Sequence, residues 1–358
     1  MPKKLEMMRS ERAFKAVLAA VAITLLCSVM ATAAGRPSHL DRTKNPSGCS
    51  GCHKGHGKKG TAMLNAATYE LCFSCHGGAG IGRGGFARTD IAAVFNKRYH
   101  HPVVETSMYH NQGEELPEKS PSAPRHVACQ DCHSVHVTEP GDTMKHVGGH
   151  KKGIAREVEA AEEYEICYKC HSESANLPVG YRNKADEFDT NNPSYHPIEA
   201  SGRNVRVPSL LPPYDVSSVI KCSDCHGNND KFGPKGPHGS DYEFMLKGQY
   251  VTTESAESPN AYELCYSCHD RKSILRNETF QKHNEHIVFY HAPCAACHTS
   301  HGSRTNRHLV DLSRFAAPTS MPSYMPSSNG RPYCYLTCHI GNRDVVHDNA
   351  FYAAKRWP

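Results

Sequence analysis

The chain has 358 residues, 38% of them apolar, with a single Trp. That length fits two or three domains, but the apolar fraction is too low for large side-chain cores, so something else must fill the interior. Residues 1–34 hold five basic and two acidic residues, which leaves about +2 of the overall +5 on the rest and argues against a nucleic-acid partner.

Residues 1–34 read as an export signal. Lys3, Lys4, Arg9, Arg12 and Lys15 precede the apolar run Ala16 to Met30, and Ala31-Thr32-Ala33 is a small-x-small cleavage site. The run is short for a membrane anchor. Leu26 before Cys27 argues against a lipid anchor, and no later segment is apolar enough to span a bilayer. The mature chain is expected in the periplasm, at the cell surface or outside the cell.

Sixteen cysteines follow, all in pairs: Cys49/Cys52, Cys72/Cys75, Cys129/Cys132, Cys167/Cys170, Cys222/Cys225, Cys265/Cys268, Cys294/Cys297 and Cys334/Cys338. A histidine stands directly behind each: His53, His76, His133, His171, His226, His269, His298 and His339. Disulfides or zinc would explain the pairs but not the histidines. His is 25 of 358 residues, so eight such placements by chance have a probability on the order of 10^-9. C-x-x-C-H attaches a c-type haem: two thiols add to the porphyrin vinyls, and the following imidazole becomes the proximal iron ligand. The eighth site, Cys334-Tyr335-Leu336-Thr337-Cys338-His339, has one extra residue between the thiols and is read as a loop variant that still takes haem.

The motifs alternate between two kinds. "CSGCHKGHG", "CQDCHSVH" and "CAACHTSHG" carry a second histidine, His56, His136 and His301; in the fourth of this kind it comes later, at His238. The others open with Tyr-Glu-Leu/Ile-Cys, as in "YELCFSCH", "YEICYKCH" and "YELCYSCH". Four doubled units result: Cys49–His76, Cys129–His171, Cys222–His269 and Cys294–His339. Further histidines follow each unit: His100 and His101, His196, His283 and His286, and His347. The expected distal ligands are therefore His56, His136, His238 and His301, with His101, His196, His286 and His347. His101 is preferred to His100 because, like His196, it precedes Pro; His126, His283 and His291 are rivals. No methionine recurs within the units, so bis-histidine irons of low potential are expected.

On these motifs the chain resembles the multihaem c-type cytochromes with doubled CXXCH motifs of metal-reducing and sulfate-reducing bacteria. "CAACHTSHG" and "YELCYSCH" are also similar to phrases from decahaem cytochromes of outer-membrane electron conduits. The resemblance covers Ser47 to His347 and implies covalent haem attachment, export, and redox proteins as donor and acceptor; the motif count gives eight haems, and the sequence does not choose between a free carrier, a conduit complex and a homopolymer.

About 40 residues per haem is too few for a domain around each cofactor, so the chain is expected to wrap a haem chain. The expected fold is mainly irregular, with short α-helices and little β-sheet. Glu157 to His171 is the strongest helix candidate. "RVPSLLPPYD" and "AAPTSMPSYMPSSNGRP" read as loops. The first suggests a division into 35–204, holding haems one to four, and 205–358, holding haems five to eight. The expected role is electron transfer without substrate chemistry. The alternative is a reductase of a small nitrogen or sulfur oxyanion with one open iron, against which the absence of C-x-x-C-K counts.

Overall fold

One helical turn brings residues i, i+3 and i+4 to one face, which is what C-x-x-C-H requires. The computed structural model builds that turn repeatedly. It describes residues 39–55, 63–78, 80–81, 87–88, 90–104, 126–137, 143–154, 157–173, 177, 180–311, 324–325 and 333–334. Residues 1–34, His56, Cys338, His339 and His347 lie outside these, and of Cys334 only its place in a strand pair is described.

The histidine-rich motifs sit on short turns, such as Gly48–Gly51, Cys129–Asp131, Cys222–Cys225 and Cys294–Cys297. In each, the histidine N–H donates to the carbonyl of the first cysteine, at 2.9 to 3.0 Å. Tyr-Glu motifs sit on Thr68–His76, Glu163–His171 and Glu263–Tyr266. Their repeated tyrosine has a purpose: it packs on an aromatic ring four residues later. The pairs are Tyr69 with Phe73, Tyr164 with Tyr168 and Tyr262 with Tyr266, at 5.9, 5.2 and 6.1 Å between centroids.

The expectation of short helices, irregular connections and little sheet is borne out. The described strands are two residues long and pair antiparallel. The helix expected from Glu157 starts only at Glu163, because Val158–Glu159 pairs with Gly148–Gly149. The Glu165 carboxylate then accepts from the N–H groups of Ala161 and Glu162 and starts the helix there.

After the attachment histidine the chain returns in a second recurring way. Lys54, Gly227 and Thr299 donate N–H to the carbonyls of Met63, Met245 and Leu309. Those three acceptors have φ of 51°, 53° and 57°, left-handed values that turn the chain back beside the motif.

Two strand pairs tie distant parts together: Tyr99–His100 with Gly239–Ser240, and Ser194–Tyr195 with Gly302–Ser303. Their glycines are packed against backbone. A Cβ at Gly239 would lie 2.2 Å from the Val94 carbonyl oxygen, and one at Gly302 1.7 Å from that of Glu187.

Side-chain cores are small. Tyr168, Ala185, Phe188 and Ile198 form one, and Ala261, Tyr262 and Ile287 another. Stretch 206–215 is a loop, as expected, and docks on the third unit. Ser209 Oγ lies 3.0 Å from His269 Nδ1, and Leu211 donates to the Cys268 carbonyl.

Gly239→Ala and Gly302→Ala should each destabilise the haem-loaded protein by about 1–3 kcal/mol or more, because backbone must move. Gly202→Ala, whose added Cβ meets nothing nearer than 3.8 Å, should change stability by less than about 0.5 kcal/mol. Thermal unfolding followed in the haem absorption bands checks both.

Candidate haem-binding core

What fills the space between these small cores is a continuous cavity of about 3830 Å³. A single small-molecule site takes about 300–1,000 Å³, so this volume suits several large cofactors. Its walls carry all seven complete C-x-x-C-H motifs of the described residues, from Cys49–His53 to Cys294–His298.

Histidines from distant segments face the attachment histidines across that cavity. His53 faces His136 with 6.0 Å between ring centroids, and His76 faces His39, also at 6.0 Å. His133 faces His238 at 6.1 Å, and His171 faces His101 at 6.4 Å. His226 faces His301 at 6.2 Å, and His298 faces His283 at 6.3 Å. His269 completes the series: burial first, and then the nearby His196 and His298, hold its pKa down to about 4. A metal–imidazole bond of about 2 Å on each side, plus the depth of each ring, separates two centroids by roughly 6 Å. The residues therefore fit haem irons held between two imidazoles.

Burial also holds His171, His238 and His283 down to about 4, with His101, His133 and His298 as the nearest like charges for each in turn. Imidazoles with such low pKa values are neutral at physiological pH, the state in which they bind metal.

Nδ1 is fixed by the surrounding chain. In His101, His196, His226 and His298 it bonds the backbone carbonyls of Pro237, Ser300, Phe244 and His308, at 2.7, 2.6, 2.8 and 2.9 Å. In His39 and His133 the acceptors are the Val135 and Thr143 carbonyls, at 2.9 and 3.0 Å. A proton held on Nδ1 makes Nε2 the ligating nitrogen and sets the ring plane.

Three of these bonds follow one rule. His39, His101 and His196 each donate to the carbonyl of the residue directly before another histidine: His136, His238 and His301. Each such clip faces both attachment histidines of one doubled unit. The pair His39/His136 faces the first unit, His101/His238 the second and His196/His301 the third.

Of the expected distal residues, His101, His136, His238 and His301 face attachment rings, and His196 lies beside His269. Each of the five lies against a neighbouring unit rather than its own. His286 packs against Phe280, with centroids 6.0 Å apart, while His283 faces His298. His39 was missed, because it precedes every motif and lacks the flanking Pro; its one sequence signal is its place ahead of the first unit.

The attachment sites succeed one another in chain order. Cys72 lies beside Cys129, Cys167 beside Cys222, and Cys265 beside Cys294, each pair close enough to shift the thiols' pKa values. Within units, Cys52 lies close enough to Cys75, Cys132 to Cys167, and Cys225 to Cys268 for their charges to interact.

The doubled CXXCH motif family matches residues 43–80 and 216–274. The chain is 26% identical, over 146 residues and 41% of its length, to Multiheme cytochrome MtrA of Shewanella baltica (strain OS185). The match spans 25% of that cytochrome, so the chain covers about a quarter of its relative's length. No solved structure matches the chain.

His283→Ala should leave one ferrous haem open to carbon monoxide, seen as a one-haem change in the reduced absorption spectrum. His291→Ala, at an exposed position, should leave that spectrum unchanged.

Proposed function

We propose that the chain, a multihaem c-type cytochrome with covalently bound haems, carries electrons along a file of eight bis-histidine haems between two redox proteins. The observation that carries this reading is the set of facing histidines, one from the motif and one from a distant segment. When bound, haem supplies the one-electron ferric–ferrous couple.

The protein's part is to hold and order that couple. The cysteines fix each porphyrin covalently. The clips hold ring planes in place, so the histidines that would hold a haem iron need not rearrange when its charge changes. The sulfur contacts between successive motifs set the proposed order of the file as the order of the sequence. Burial lowers the pKa of His196 and His298, and such neutral imidazoles would keep water from a bound iron. An iron held by two such histidines would have no position left for a substrate, so the proposed role is electron transfer without catalysis.

The leader-like residues 1–34 support export and a periplasmic or outer-surface location as part of this proposal. Among the described residues no helix is long and apolar enough to cross a membrane. The similarity to Multiheme cytochrome MtrA supports redox-protein partners, with a conduit complex as one setting.

The test is the dithionite-reduced absorption spectrum before and after carbon monoxide. The proposal predicts no change. A shift of about one haem's share of the absorbance would reveal an open iron and favour reduction of a small oxyanion.

A further inference from the structure

The group behind an axial imidazole tunes the iron through it: a stronger acceptor at Nδ1 makes the ring a stronger donor and favours the ferric state. Most of the acceptors described above are neutral backbone carbonyls. On His301 the acceptor is a carboxylate. Glu187 Oε2 lies 3.0 Å from His301 Nδ1. Across the same proposed iron, His226 uses the Phe244 carbonyl.

This carboxylate is built in. Glu187 is 5% exposed. It ends the helix Lys184–Glu187, and its backbone oxygen accepts from Asn192 Nδ2 at 2.9 Å and abuts Gly302, next to His301. Two cations face it. Lys184 Nζ is 2.6 Å from Oε2, and Arg182 Nη1 is 3.7 Å from Oε1. They stabilise the ionised carboxylate but also compete with His301 for its charge. Low local polarity makes the remaining negative charge effective at the ring.

We infer that Glu187 is a positioning residue for His301 and holds the haem attached at Cys222 and Cys225 at a lower potential than a neutral acceptor would. This rests on the proposed haem file. A low step at that haem would stand in the interior of the file, between the sites of Cys167/Cys170 and Cys265/Cys268.

The test uses the haem-loaded protein, with haem number checked by mass and potentials read by optical redox titration. In Glu187→Gln, one haem's share of the absorbance change should move to higher potential, because the acceptor weakens and Lys184 and Arg182 lose their counter-charge. The other haems should titrate as before. In Lys184→Met the same component should move to lower potential, because the carboxylate is left to His301. A Glu187→Gln curve that overlays the parent, or a shift spread over every haem, overturns the inference. So does a Lys184→Met curve that is unchanged or raised, and this variant decides if Glu187→Gln fails to mature. His301→Ala separates the two readings. If it opens one haem to carbon monoxide while Glu187→Gln shifts nothing, the tuning is wrong and the haem file stands. If it opens none, the inference falls with its premise.

Discussion

An imidazole N–H given to the carbonyl just before another histidine is the bond on which the arrangement depends. It occurs at His39, His101 and His196, and it joins residues 96, 136 and 104 positions apart in sequence. One bond of this kind contributes only about 1 kcal/mol net to stability. Its structural effect is larger than that figure suggests. It fixes a tautomer, orients a ring and brings two histidines to the two attachment sites of one doubled unit.

This explains how a chain with so little apolar core can hold a defined shape. The buried apolar clusters lie at junctions, where Tyr168 and Tyr262 pack under their helices. Between them the cavity walls carry the motif cysteines and histidines among apolar side chains such as Leu210, Leu246 and Leu309. Cofactor contacts take the place of side-chain packing, so folding and haem attachment are coupled in the way that metal binding and folding are coupled in small metal-dependent domains. Among the described residues, His101, His136, His238 and His301 each face an attachment ring of a neighbouring unit, which would interlock the proposed file.

Much of this was legible in the sequence, for a physical reason. Covalent attachment needs fixed spacing, so every motif could be found by counting residues. The irregular fold followed from residue number per motif. Which unit each histidine faces was not legible, because it depends on three-dimensional return paths and leaves no fixed spacing. The spacing marks His136, His238 and His301 as distal candidates but does not show that they face the preceding unit. His39 had no motif of its own to mark it. The strand at Val158–Glu159 overrode good helix formers because Gly148–Gly149 offered a partner. The role of Glu187 was invisible, since Lys-Ala-Asp-Glu reads as an ordinary charged surface turn.

The most direct measurement is an experimental structure of the haem-loaded protein, with iron positions located by anomalous scattering. The account predicts irons in single file in sequence order, each of the first seven lying between the ring pairs described, with His39 on the His76 iron and His136 on the His53 iron. Irons ligated within their own units, or a file whose order departs from the sequence, would contradict it.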